Sequence, residues 1–270
     1  MVHGKLAPGH PLRGCAVAVA SLLAASVMSF SARAEHGDDV APPETTPPAE
    51  LDFLFSPPRF SVGIRGGWAI NRSDGEIFDF LTETLTLDRS AFDGFAAAID
   101  CSWQLMPWLD IAVGLELNNR TTSSKFRGFV DEFGDPAEQE TSFTQLPLTL
   151  SVKLFPFDRG RRVGQYAWIP AAFVPYFGGG VGATWYQLKQ TGEFVDSEEM
   201  EVFEDVFTSE GWAFAGHAFV GFEVKFTKRV GLVLEGRYYW ASAEIGGSFK
   251  GFAPIDLNGA RAMAGFNYKF

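Results

Sequence analysis

Apolar residues recur at every second position along most of the chain after residue 59. In the first such segment Phe60, Val62, Ile64, Trp68 and Ile70 alternate with small or polar residues. A period of two is typical of a β-strand whose two faces meet different surroundings. Further segments with this pattern lie at about 92–104, 109–120, 143–154, 173–186, 212–226, 230–240 and 260–270. The sequence therefore predicts an all-β protein with eight long strands.

Soluble and membrane-spanning β-proteins differ in which face of their strands points inward. In a soluble sandwich the apolar face forms the core and the polar face meets water. The length of the segments, about 11–14 residues, favours the opposite arrangement, because soluble strands average about 5–6 residues and a tilted membrane-spanning strand needs about 9–11. The apolar face also ends in aromatic residues on both sides: Trp68, Trp185, Trp212 and Trp240 on one, and Phe60, Trp103, Phe173, Phe226, Tyr268 and Phe270 on the other. Two aromatic belts around an aliphatic zone are typical of a membrane-spanning barrel.

The connections between the segments alternate in length. Short links at 106–108 and 227–229 lie on one side, and long ones at about 71–91, 121–142, 187–211 and 242–257 lie on the other. Short periplasmic turns and long outer loops are typical of bacterial outer-membrane barrels. The turn 155–172 is longer and contains Arg159, Arg161 and Arg162, and we interpret it as an elaborated turn. We expect a closed eight-stranded antiparallel transmembrane up-and-down β-barrel over residues 59–270, with both termini periplasmic.

The first 58 residues divide into two segments of different composition. Residues 1–34 contain Lys5 and Arg13 but no acidic residue, then an apolar run, and end in Ala32-Arg33-Ala34, which is the pattern of a secretory signal peptide. Residues 35–58 are acidic and rich in proline, which predicts a flexible leader. Cleavage after Ala34 would leave Cys101 as the only cysteine, so no intramolecular disulfide is expected.

The last strand carries a recognisable pattern. It is apolar at every second position from Ala262 through Phe266 and Tyr268 to the C-terminal Phe270, which resembles the signal that the insertion machinery of outer-membrane barrels reads. The glycine-rich stretch 175–183 also resembles a strand of small barrels in the OmpA-like, porin-family "outer membrane protein beta-barrel domain" group. The resemblance covers about residues 59–270. It implies a bacterial outer-membrane barrel whose last strand meets the insertion machinery.

Charged residues occupy the face that would point into the lumen. We predict that they form a charge network, whose expected members are Arg65, Asp100, Glu116, Lys153, Glu223, Glu235, Arg237 and Arg261. Eight strands leave an interior just wide enough for side chains to fill it, so paired charges would plug the lumen. The alternative is a narrow polar pathway for ions or small solutes. Both hypotheses stay open on the sequence alone.

No catalytic, cofactor or metal site is expected. His217 has lumen-facing parity without a Ser and Asp arrangement nearby, so we interpret it as a hydrogen-bonded lumen residue. The glycines at 178–182 lack the Gly-Lys-Ser/Thr continuation of a phosphate loop. The acids of 193–210 do not have calcium-loop spacing. They are typical of a solvated loop, although the interleaved Phe194, Met200, Val202, Phe203, Val206 and Phe207 suggest a short amphipathic structure or a lid.

Composition narrows the expected partners. The formal net charge of −11 argues against nucleic acid, whose binding proteins carry a basic surface. We expect a non-enzymatic surface protein, in monomeric form, that contacts outer-membrane lipid and lipopolysaccharide and uses its outer loops for interaction. A narrow porin-like channel for small or apolar solutes is the alternative function. A lipid A-modifying envelope enzyme comes third.

Overall fold

The computed structural model describes residues 53–130, 136–195 and 202–270. The predicted signal peptide, most of the predicted leader, and residues 196–201 of the acidic stretch, Met200 included, lie outside the described residues. The described chain consists mainly of β-strands, with one α-helix within these ranges. These elements are β1 (Phe60–Asn71), α1 (Glu76–Thr84), β2 (Gly94–Met106), β3 (Leu109–Val130), β4 (Pro136–Leu154), β5 (Gly160–Val163), β6 (Ala167–Pro170), β7 (Phe173–Val195), β8 (Val202–Lys225), β9 (Val230–Ala243), β10 (Ile255–Asp256) and β11 (Gly259–Lys269).

Eight of the strands close into a ring. Around it run β1, β2, β3, β4, β7, β8, β9 and β11, each paired with its neighbours, and β11 pairs back onto β1. Every one of these pairings is antiparallel, with Ile64 of β1 opposite Ile99 on one side and Phe266 on the other. Closure leaves no unpaired edge, so the backbone polar groups of each strand have partners within the sheet. The predicted closed eight-stranded antiparallel barrel is confirmed.

The two ends of the barrel differ. At one end β1 begins and β11 finishes, with Ser61 opposite Lys269. We call this the terminal end, and it also carries the short turns that join β2 to β3 and β8 to β9. We call the opposite end, which carries α1 and the longest strands, the loop end.

The outer wall of the barrel is apolar. Outward side chains such as Val113, Leu150 and Val220 are about half or more exposed. Aromatic rings border this wall: Trp68, Phe95, Trp212 and Trp240 towards the loop end, and Trp103, Trp108, Phe173, Phe226 and Phe270 towards the terminal end. The ten residue steps of β1 from Phe60 to Ile70, at ~3.3 Å each and a tilt of ~40°, rise about 25 Å, which is the height of the apolar band in membrane barrels.

Four strands continue well beyond the loop-end aromatic row. The sequence predicts long loops at about 121–142 and 187–211, but β3, β4, β7 and β8 run for 22, 19, 23 and 24 residues. Pairing persists from Asn118 opposite Gln145 to Lys125 opposite Glu138. The nine residue steps of β8 from Phe203 to Trp212 add about 23 Å of tilted wall. In the described part of the stretch with interleaved phenylalanines, Phe194 and Phe203 are therefore paired strand residues of β7 and β8.

The long turn at the terminal end folds on itself. Within 155–172, β5 and β6 form a two-stranded hairpin, which is the elaboration that the sequence predicts. Leu54 forms an isolated bridge with Trp168 of β6, with backbone hydrogen bonds of 2.9 and 2.7 Å. The last residues of the predicted leader are thus bound to this hairpin.

Among the described residues, no helix has both the length and the hydrophobicity needed to cross a membrane.

Candidate functional site in the barrel lumen

The lumen is lined by three different surfaces in succession. Near the terminal end there is a cavity, in the middle there is a layer of paired charges, and towards the loop end there is an apolar core. We call the middle layer the charge network and the last one the apolar plug. The charge network consists of Arg65, Asp100, Glu116, Lys153, Glu235, Arg237 and Arg261.

The first half of the charge network is built around Asp100 and Glu235. Arg65 and Lys153 both pair with Asp100, the latter with its Nζ 2.9 Å from Oδ2. Arg237 donates to Glu235 over 2.6 Å, and the hydroxyl of Tyr176 donates to the other oxygen of Glu235 over 2.8 Å. The side chains of Arg65 and Glu235 are completely buried. Because each carboxylate has two donors, the layer is cross-linked between strands that are not neighbours.

The second half of the charge network is built around Glu116. Its two oxygens accept from Nε of Arg261 and from the hydroxyl of Tyr239, each over 3.0 Å. Arg261 also donates to Gln145 over 2.7 Å. Arg237 donates to the hydroxyl of Tyr239 over 3.0 Å and thereby joins the two halves. Buried charges are tolerated when they are paired in this way.

One expected member lies outside the charge network. Glu223 pairs with Lys269, and it accepts a 2.8 Å hydrogen bond from Asn267, close to the terminal end. All eight predicted lumen residues are buried and point inward. The seven residues other than Glu223 lie together in the charge network. Three further lumen residues bind to the charge network and were not predicted, although their inward parity was an available signal: Tyr176, Tyr239 and Gln145.

Glycines on β7 make room for the largest side chains of the lumen. A Cβ on Gly180 would lie 2.9 Å from Cε1 of His217, and one on Gly178 would lie 2.5 Å from Cζ of Phe219. His217 therefore fits against Phe219 and is held by a 2.9 Å hydrogen bond between its Nε2 and Oγ of Ser151. Its Nδ1 has no hydrogen-bond partner, so the Ser151–His217 pair lacks the carboxylate of a catalytic triad.

The apolar plug is the feature that the sequence analysis missed. Helix α1 lies within the residues treated as a long loop, and its Ile77, Phe78 and Leu81 are fully buried. They belong to one cluster with Leu85, Leu87, Phe92, Phe143, Tyr186, Leu188, Ala213, Ala215, Ala241, Ala243, Ile245, Phe249, Ile255 and Leu257. Ala215 and Ala241 face each other on neighbouring strands, so small side chains on the barrel wall accommodate the helix and loops. The spacing of the apolar residues in α1 and after it was an available signal for a helix.

Polar contacts fix the connections that form the apolar plug. Asn71 donates to the carbonyl of Phe92 over 2.6 Å, and its backbone N–H donates to Asp93 over 2.8 Å. The hydroxyl of Tyr186 donates to the carbonyl of Glu244 over 2.9 Å. Nearby on the surface, the hydrogen bond from Arg72 to Asp74 raises the pKa of Arg72. Both ends of residues 72–93 and the start of 244–258 are thus attached to the barrel wall.

An apolar exterior around a charged, hydrogen-bonded interior is the inverse of a soluble barrel. Lipid on the outside accounts for the first property, and the burial of paired charges accounts for the second. The chain has the fold of an outer-membrane β-barrel. Among the described residues there is no cluster of His, Cys, Asp and Glu that could hold a metal ion. Cys101 is a free cysteine on the exposed outer wall.

Solved structures with a similar fold are outer-membrane proteins. Neisserial surface protein A is 12% identical with a TM-score of 0.42, over 78% of this chain and 96% of that one. The attachment invasion locus protein Ail of Yersinia pestis, in complex with sucrose octasulfate, is 11% identical with a TM-score of 0.40, over 78% and 99%. The N-terminal β-barrel domain of Pseudomonas aeruginosa OprF is 11% identical with a TM-score of 0.29, over 81% and 99%. With TM-scores below 0.5, these likenesses add nothing to the strand pairing, which carries the fold.

No protein-family model and no curated protein matches the sequence.

Proposed function

We propose that the chain is a non-enzymatic surface protein of the bacterial outer membrane. In this proposal the barrel is the anchor, and the part that extends beyond the loop-end aromatic row is the interacting region. The observation that carries the proposal is that two layers of buried side chains, the charge network and the apolar plug, lie within the lumen. Both layers consist of buried side chains, and a channel would need a continuous polar path through both. The described chain therefore favours an anchor over the alternative of a narrow porin-like channel.

The outer wall of the loop-end extension supports a role in polar contacts. Above the aromatic row the outward side chains become polar and charged, with Lys125 and Lys189 exposed beside Glu138 and Glu140. An ion pair of 3.1 Å joins Lys125 to Glu138. Such a surface is suited to water and to charged headgroups, and we propose lipopolysaccharide as its nearest partner. The anchor is proposed to be a monomer.

The proposal sets an orientation, with the terminal end and both termini in the periplasm. It is tested with single cysteines on intact cells, in a background in which Cys101 is replaced by Ala. Ser123→Cys, on the exposed loop-end wall, should react with a membrane-impermeant maleimide. Arg229→Cys, in an exposed terminal-end turn, should react only after the cells are opened. Labelling of Arg229→Cys but not Ser123→Cys on intact cells would contradict the proposed orientation.

The C-terminal strand is proposed to meet the insertion machinery. Phe266, Tyr268 and Phe270 point outward on or next to β11 and are 51%, 42% and 58% exposed. An aromatic row on the outer wall is accessible to a protein partner before lipid covers it.

A lipid A-modifying enzyme remains the third hypothesis, and within the described part of the chain His217 is its candidate residue. His217 is buried beneath Phe219 and Tyr239, at ring-centroid distances of 5.8 and 5.3 Å. A side chain in this position does not reach the lipid-facing wall. The hypothesis predicts activity on lipid A that is lost in His217→Ala, and retained activity would exclude this histidine.

A further inference from the structure

A cavity of about 260 Å³ opens into the lumen at the terminal end, on the far side of the charge network from the apolar plug. Its inner wall includes Lys153, Tyr176 and Glu223, and its outer wall includes Arg159 and Trp168 of the turn 155–172. Pro57 and Pro58 line it next to the Leu54–Trp168 bridge. The cavity is therefore a pocket with one closed end, and the hairpin of β5 and β6 forms part of its rim.

Three buried polar atoms of the cavity lining have no hydrogen-bond partner. Oδ2 of Asp110 accepts from Arg159 over 2.8 Å, whereas Oδ1 of Asp110 and Nη2 of Arg159 are unpaired. Asn267 donates its Nδ2 to Glu223, which fixes its Oδ1 as an acceptor, and this oxygen is also unpaired. Asp110 and Asn267 are more than nine-tenths buried. Because an unpaired buried polar atom is unfavourable, a bound group that supplies two donors and one acceptor would stabilise this arrangement.

The charge of the lining indicates the sign of such a group. The cations of the lining outnumber its carboxylates by two. They are Arg59, Lys153, Arg159, Arg162 and Lys269, against Asp110, Asp158 and Glu223. Three of these cations are already paired with carboxylates, namely Lys153 with Asp100, Arg159 with Asp110, and Lys269 with Glu223. When Asp100, the partner of Lys153, is counted with the carboxylates, an excess of one positive charge remains, and it favours an anionic ligand.

The size of the cavity and the apolar part of its wall narrow the class of ligand further. At ~30 Å³ per water molecule, 260 Å³ corresponds to about nine waters. Because bonded atoms occupy less volume than separate waters, this space fits a solute of roughly 10 to 16 non-hydrogen atoms. Phe155, Trp168 and Tyr176 supply an aromatic lining, and the guanidinium of Arg159 lies 4.2 Å from the ring centroid of Phe155. A hydroxyl-bearing ring has donors for the two unpaired oxygens and apolar C–H groups for the aromatic wall.

We propose that this terminal-end cavity binds a small anionic polyol, of the class of sugar acids and sugar phosphates. Its hydroxyl groups donate to Oδ1 of Asp110 and Oδ1 of Asn267, and its anionic oxygen accepts from Nη2 of Arg159. The inference goes beyond the proposed function, because it concerns the end of the lumen opposite to the interacting region. It does not depend on whether the barrel conducts.

The proposal is tested by isothermal titration of the refolded mature protein in detergent with glucose 6-phosphate, gluconate, glucose and inorganic phosphate. Folding of every variant is verified by the change of gel mobility on boiling. The variants are Arg159→Gln, which removes the unpaired donor, and Asp110→Asn, which keeps the volume and changes the acceptor. Arg161→Gln is the matched control, because Arg161 is an exposed residue of the same hairpin that does not line the cavity.

We expect saturable binding of glucose 6-phosphate or gluconate, at least tenfold tighter than that of glucose or inorganic phosphate. Arg159→Gln should weaken it at least tenfold, Asp110→Asn should weaken it severalfold, and Arg161→Gln should change it less than twofold. Absence of saturable binding of both anionic polyols would overturn the proposal. If inorganic phosphate bound as tightly as the anionic polyols, the cavity would be an anion site that does not recognise a polyol, and the proposal would be wrong. If glucose bound as tightly, the site would not require an anionic group, and the proposal would also be wrong. An equal loss in Arg159→Gln and Arg161→Gln would place the binding elsewhere. If Arg159→Gln does not fold, the affinities of Asp110→Asn and Arg161→Gln are compared instead, and equal affinities of these two variants would overturn the proposal.

Discussion

Replacing Glu116 by Gln should destabilise the barrel strongly without changing its shape. Glu116 is 2% exposed and receives Arg261 and Tyr239 over 3.0 Å, with Arg237 at 3.8 Å. The charge network holds four cations and three carboxylates, so removal of this carboxylate leaves four against two. The new amide also places a donor against groups that already donate. Breaking a buried ion pair by removing one partner costs about 3–5 kcal/mol, and we expect a loss of this size in the free energy of unfolding.

The assay for Glu116→Gln is urea unfolding of the protein refolded into lipid vesicles, followed by tryptophan fluorescence and by the gel-mobility change on boiling. The matched control is Glu140→Gln, which makes the same chemical change at an exposed position of β4. The control should alter the free energy of unfolding by less than about 0.5 kcal/mol. A loss below about 1 kcal/mol for Glu116→Gln, with folding verified, would refute the view that the carboxylate of Glu116 is closely paired in the charge network.

Three further predictions concern the apolar plug, the lipid face and the C-terminal strand. Phe78→Ala removes a buried ring that packs at 4.9 Å and 5.8 Å from two neighbouring rings, and it should cost about 3–5 kcal/mol of unfolding free energy in the urea assay. The control Phe80→Ala, at a half-exposed position of the same helix, should cost about 1 kcal/mol or less, and equal losses would place α1 outside the core. Val220→Arg puts a charge on the lipid-facing wall and should lower the free energy of unfolding by about 2–4 kcal/mol. The control Val206→Arg, beyond the aromatic row, should lower it by less than about 1 kcal/mol, and a larger loss for Val206→Arg would contradict the position assigned to the membrane. Deletion of Phe270 should slow assembly in cells, measured by pulse-chase and gel mobility, but leave refolding into vesicles nearly unchanged; unchanged assembly in cells would argue against its role as a signal.

The membrane-spanning part of the barrel could be predicted because lipid imposes a pattern on the outer face. For that reason an apolar residue, such as Leu115 in β3 or Val220 in β8, occurs at every second position of each strand. Beyond the aromatic row the outward face of a strand is mainly polar, as at Thr121 of β3, whereas the inward face mixes polar residues such as Ser124 with apolar ones such as Leu188. The regular alternation in hydrophobicity therefore ends although the strand pairing continues. The extension of the strands was therefore invisible to a search for apolar parity.

The alternation along a strand shows which charged residues point into the lumen, but it does not determine which of them contact each other. Glu116 and Arg261 are on strands that are not neighbours, and their contact depends on the closure and stagger of the whole ring. Glu223 has the same inward parity as Glu235, but it lies closer to the terminal end and pairs with Lys269. The burial of helix α1 in the lumen likewise depends on the small side chains of Ala215 and Ala241, which are far away in sequence.

The central claim is that the lumen is closed, and single-channel recording in planar bilayers tests it most directly. The refolded mature protein, with its gel-mobility change verified, should give no discrete openings at ±100 mV if the buried side chains of the charge network and the apolar plug close the lumen as proposed. Stable, discrete openings from verified protein would contradict the claim and would make the charge network the selectivity element of a channel.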